Sequence, residues 1–159
     1  MAESGVQARR ADLAFNESAI KLAVGMIDNL TTPIEVLYYL LDHRRLNSFV
    51  LILFSAEEID THTILEKEKR DTDLLFCLGE AHNVHALLCQ ETKVDGGYMF
   101  ADRLVRRLTQ EKASAICCTV LEVRSTNYQI KDIIFRGLET YMKAKQEGPD
   151  GEIVVKSIN

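Results

Sequence analysis

The residues best suited to chemistry cluster in the middle of the chain. Arg70 and Asp73 stand three apart in Arg-Asp-Thr-Asp, and Arg103 lies in a later stretch that carries Arg106 and Arg107 as well. An arginine fork matches a phosphate bidentately, and a carboxylate accepts from N–H donors, so such a set could hold a small anionic ligand. Downstream, Gly79-Glu80-Ala81-His82-Asn83 forms a polar turn, and His82 with His85 makes an HxxH. Two histidines can begin a zinc site, but zinc asks for three or four convergent ligands. The sequence offers no third ligand and does not place His62 beside them, so the pair reads as solvent-facing and no metal is expected.

These residues need elements to carry them. Residues 1–11 read as a polar tail. From Asp12 to Ile27, Phe15, Ala19, Leu22 and Met26 recur at steps of three and four, which predicts an amphipathic helix suited to packing on the domain or pairing with a second copy. Thr32-Pro33 reads as the start of another helix, with Thr32 as N-cap, running to about His43. Phe49 to Phe54 is unbroken apolar sequence, as in a strand covered on both faces. The charged stretch from Glu57 to Arg70 carries only a sparse apolar stripe (Ile59, Ile64, Leu65), a solvated helix or helical loop. Leu74–Leu78 and Val84–Cys89 flank the polar turn as a hairpin. A helix over Asp95–Gln110, a strand over Ala115–Val123, a helix over Ile130–Lys145 and a short strand over Glu152–Lys156 complete the order.

Helices alternating with strands around one core predict an α/β fold, a three-layer sandwich with a mixed, mainly antiparallel sheet of about five strands. A chain of 159 residues suffices for one such core without staples. The net charge of −5, with no basic run, argues against a nucleic-acid or anionic-membrane binder. No apolar run is long enough to span a bilayer and no signal peptide is evident. Cys77, Cys89, Cys117 and Cys118 lie in apolar runs without CxxC spacing, so buried free thiols in a reducing cytoplasm are expected.

Several stretches, in order and at near-family spacing, resemble the GGDEF (diguanylate cyclase) domain. Asp28-Asn-Leu-Thr31 is similar to its opening DxLT, although Pro33, Glu35 and Val36 stand where the family continues with a Leu and an Asn-Arg pair. Arg70 to Gly79 looks like the family's RxxD, its five-residue strand and the first glycine of its signature. Ala86 to Thr92 resembles the second hairpin strand, and Ala101-Asp-Arg-Leu104 the AER-type run. Ile133 to Gly148, with Leu138, Tyr141, Lys143, Ala144 and Lys145, resembles the closing pattern. The resemblance divides the chain into a tail and helix over 1–27 and a degenerate GGDEF domain over 28–159.

It also implies what has been lost. Cyclases hold divalent metal on carboxylates to neutralise a triphosphate and polarise the attacking oxygen. Here Ser55 stands at the first-strand acid, with only Glu57 acidic nearby. In the signature turn Glu80 replaces the close-approach glycine, and Ala81 and His82 replace the two acids. About two extra residues intervene before the strand resumes. The segment after the first strand is shorter by more than a helical turn and lacks the guanine-reading Asn-Asp pair. The expectation is a protein without cyclase activity and without a resident cofactor.

What the resemblance leaves is the RxxD of the family's inhibitory site, which binds the product cyclic di-GMP. There an arginine fork meets a guanine O6/N7 edge or a phosphate, and the carboxylate accepts from guanine N1 and N2. Arg70, Asp73 and Arg103 match that set, with Arg106 or Arg107 as possible helpers. The expected function is a bacterial cytoplasmic second-messenger receptor that relays to a protein partner, itself not identified by the sequence. The alternative is a ligand-independent interaction or dimerisation module.

Overall fold

The computed structural model describes residues 16–79 and 83–158. Its elements are α1 (Glu17–Asp42), β1 (Phe49–Glu57), α2 (Thr61–Glu68), β2 (Leu74–Cys77), β3 (Val84–Gln90), α3 (Val94–Gln110), β4 (Ser114–Val123), α4 (Ile130–Glu147) and β5 (Ile153–Ile158). The five strands form one sheet in the order β2-β3-β1-β4-β5. All neighbours are antiparallel except β4 and β5. This is the expected mixed, mainly antiparallel sheet flanked by helices.

Alternation along the strands sorts the core into two halves. Phe49, Leu51 and Leu53 of β1 face α1 and α4, where Leu22, Met26, Leu30, Ile34 and Leu138 cover them. Val50, Ile52 and Phe54 face α2 and α3, and meet Leu65, Phe100, Leu104 and Leu108. With β3 on one side and β4 on the other, β1 is buried along its whole length except Glu57. That explains its lack of polar alternation.

The two helices expected at the start are one. α1 is capped by Asn16, whose side chain accepts from the Ala19 amide, and it runs through Pro33 without a break. Proline inside a helix costs about 3 kcal/mol, because it lacks an N–H and crowds the preceding turn. Burying one large apolar side chain contributes about 1.5–3 kcal/mol. Leu22, Met26, Leu30, Ile34 and Leu37 form one buried stripe across the proline, so burial wins. Thr32 is therefore mid-helix rather than a cap, and position 28 lies inside α1. The part of the predicted first helix before Asn16 lies outside the described residues.

One close approach fixes α1 on the hairpin. A Cβ added at Gly25 would meet the Leu78 carbonyl oxygen at 2.5 Å, so only glycine lets the helix touch the backbone leading into the 79–83 turn.

Candidate functional site

Arg70 lies near the start of the connection between α2 and β2, and Asp73 is its last residue, immediately before β2. The Asp73 carboxylate accepts from the Arg70 backbone N–H at 2.8 Å, which closes the turn locally. It also accepts from Arg70 Nε at 3.0 Å and Nη2 at 2.8 Å. The same Nη2 reaches the Gln90 carbonyl and Thr92 Oγ1, both at 2.9 Å, beyond the end of β3. Arg70 thus ties the approach to β2 onto the exit from β3. The Asp73 side chain is wholly buried, while that of Arg70 is 47% exposed. Among the described residues the Nη1 edge makes no hydrogen bond. The carboxylate beside it raises the Arg70 pKa further, against the opposing effect of partial burial.

The corner at Thr92 is itself braced. Asn47 donates to the Glu91 carboxylate through its backbone N–H and its side-chain amide, and Ser48 Oγ donates to the Thr92 carbonyl. Glu91 takes a positive φ of 47° to make that corner.

Arg103 comes to the same part of the molecule. From α3 its Nη2 donates to the Glu68 carbonyl at 3.0 Å, and its Nε pairs with the Glu68 carboxylate at 3.5 Å. Glu68 is two residues before Arg70. The guanidinium also stands over the Phe100 ring. Arg106 and Arg107 pair with Asp102 and Glu111 along the surface of α3. Among the described residues, cavities of about 220–640 Å³ occur elsewhere that Arg70, Asp73 and Arg103 do not line.

The positions matched to the cyclase metal site look different. Ser55 is buried and accepts from the Tyr141 hydroxyl at 2.8 Å, and burial pushes the Tyr141 pKa up to about 12. Glu57 is the exposed last residue of β1. Glu80, Ala81 and His82 lie outside the described residues. Gly79 and Asn83 flank them, and Asn83 Nδ2 donates to the Ala56 carbonyl of β1.

Two expectations change here. His85 is not solvent-facing: it is 2% exposed, because it sits on the α2-facing side of an inner strand. The His62 ring lies 5.3 Å from it, centre to centre. Burial, then the neighbouring His62, lower the His85 pKa, while the Asn83 backbone and Asp60 act the other way. Cys77 is exposed where a buried thiol was expected, because β2 is a short edge strand; the other three cysteines are buried and all four are free. Among the described residues no three His, Cys, Asp or Glu side chains converge to hold a metal.

Sequence reasoning also missed a buried carboxylate. Glu122 of β4 accepts from the Val94 amide at the start of α3 and from Ser157 Oγ at 2.6 Å. A lone charge inside the apolar run of β4 was the available signal. No described helix is long and apolar enough to cross a membrane.

No protein-family model matches the chain, and no curated protein sequence matches it. Solved structures do. One is the X-ray structure of a diguanylate cyclase/phosphodiesterase from Caldicellulosiruptor saccharolyticus, 12% identical in sequence. The match covers 80% of this chain and 87% of that one, at a TM-score of 0.53. At that identity the likeness establishes a shared cyclase-like fold.

Proposed function

We propose that this chain is a non-catalytic member of the diguanylate cyclase-like fold that binds cyclic di-GMP at the Arg70–Arg103 corner and passes the event to a protein partner. The observation that carries the reading is the preformed Arg70 fork. Its position is set by Asp73, Gln90 and Thr92, and its side chain remains 47% exposed. A fixed, half-exposed guanidinium loses little freedom when it meets a guanine edge or a phosphate. Arg103 can contribute a second cation once it leaves Glu68. Asp73 acts as the positioning group and reaches a ligand only if the fork opens.

The replaced acids support the non-catalytic half of the proposal. Ser55 is committed to Tyr141 in a dry setting, which leaves no carboxylate there to hold divalent metal.

Titration calorimetry with cyclic di-GMP tests the reading. Saturable heat in the wild type, lost in Arg70→Ala and weakened in Arg103→Ala, is the expected pattern. Absence of heat at micromolar ligand sinks it.

One observation favours a second reading. Ile20, Val24 and Ile27 leave an apolar strip exposed on α1, as an interaction or dimerisation module would. Light scattering decides between them: a dimer that Ile20→Glu with Val24→Glu dissociates, without any response to nucleotide, favours the module.

A further inference from the structure

The surroundings of His85 leave a chemical demand unmet. Its side chain shares the α2-facing side of the sheet with Leu87 and Cys89, alternate residues of β3. It is buried, and among the described residues neither Nδ1 nor Nε2 meets a partner at full hydrogen-bond geometry, the Asn83 backbone being a polar group that acts on the ring. A neutral imidazole carries one N–H and one lone pair, and buried polar groups in folded proteins are nearly always paired. Thr61 Oγ1, next in sequence to His62, is equally buried and equally unpaired.

Three further groups gather around it. The His62 ring lies 5.3 Å away, with its plane tilted by 37°. Asp60, the N-cap of α2, is close enough to act electrostatically on both imidazoles. Cys77 stands directly across from His85 in the β2–β3 register, an exposed free thiol on the same face.

The ring spacing is informative. With Zn–N bonds of about 2.0–2.1 Å in a tetrahedral shell, two imidazoles on one zinc place their centres about 5 Å apart. The structure therefore holds His62 and His85 near the separation that a shared metal would set. Burial keeps His85 in the neutral form that ligates.

We propose that His62 and His85 form a two-imidazole site for a borderline divalent transition-metal ion, with Zn²⁺ as the type ligand. Solvent and the Cys77 sulfur complete its shell. Because among the described residues three ligands do not already converge, Cys77 joins by turning its side chain, and its thiol proton passes to solvent as the metal binds. Magnesium, which prefers oxygen ligands, does not compete for such a site. The inference stands apart from the nucleotide reading, since Arg70, Asp73 and Arg103 take no part in it.

The test is a Zn²⁺ titration of the untagged, metal-stripped chain in competition with a chromogenic chelator, with MgCl₂ as control. One Zn²⁺ per chain with micromolar affinity is expected, weakened roughly tenfold or more in His62→Ala. His62 is exposed, so this variant should keep its fold, checked by circular dichroism. Co²⁺ substitution gives a second readout: tetrahedral d–d absorption, with a thiolate charge-transfer band that Cys77→Ser removes. Absence of stoichiometric Zn²⁺ binding, or equal affinity in His62→Ala, overturns the site. An unchanged spectrum and affinity in Cys77→Ser overturns the part given to the thiolate.

Discussion

Asp73 is sealed beneath Arg70. Its carboxylate has no solvent exposure, while the guanidinium that covers it is 47% exposed and reaches it at 2.8 Å. The exposed partner of this pair is free to meet other molecules, and the buried partner depends on it for compensation.

Truncating Arg70 therefore costs more than its own exposure suggests. Arg70→Ala leaves a buried carboxylate with the backbone N–H of position 70 and the neighbouring Cys89 thiol as donors among the described residues. The expected loss is about 2–3 kcal/mol, below the usual range for a fully buried pair because Arg70 is half in solvent. Urea denaturation checks it; a loss within error of zero shows that the carboxylate finds other compensation. Binding experiments with this variant need the same measurement as a control.

His85 predicts a pH dependence. Its folded-state pKa lies below the ordinary 6.5, so protons favour the unfolded chain. The stability owed to neutral His85 is full above that value and is lost as pH falls from it through the lowered folded pKa. In chelator, the stability difference between wild type and His85→Gln should shrink as pH drops from about 8 to about 5. A flat difference over that range would show that His85 does not titrate as described.

Gly25 gives a case where two effects compete. Gly25→Ala gains about 1 kcal/mol of helix propensity, yet its methyl meets the Leu78 carbonyl oxygen at 2.5 Å. Backbone cannot swing aside as a side chain can, so net destabilisation of about 1–3 kcal/mol is expected. Thermal melting reads the sign, and a raised Tm refutes the close approach.

Ser55 tests the loss of chemistry. Ser55→Asp places a carboxylate in a dry slot beside Tyr141, which is expected to cost about 2 kcal/mol or more. Neither wild type nor this variant should turn over GTP with magnesium. Chromatography of the nucleotides after incubation would reveal a dinucleotide product if this is wrong.

Much of the architecture was legible in the sequence because it is written in periodicity. The unbroken apolar run of β1 marked a strand covered on both faces, and Gly79 with Asn83 marked the hairpin. α1 was harder: local rules at Thr32-Pro33 signal a start, and only the stripe from Leu22 to Leu37 overrides them, a tertiary effect. At the candidate site, the spacing of Arg70 and Asp73 was visible, but their unequal burial was not. It depends on Gln90 and Thr92, some twenty residues away, closing over the turn. His85 was misjudged for a related reason, since an inner position on a sheet is set by strand order.

The central place of β1 has a consequence for how the chain is made. Its partners are β3 and β4, so its second edge stays bare until synthesis has passed residue 123. At about 5–20 residues per second that interval lasts several seconds. During it, Phe49 to Phe54 is an uncharged, β-prone hexapeptide with an open edge, the kind of segment that seeds intermolecular pairing. The centrality that shields this strand in the finished fold makes it a hazard in the nascent chain.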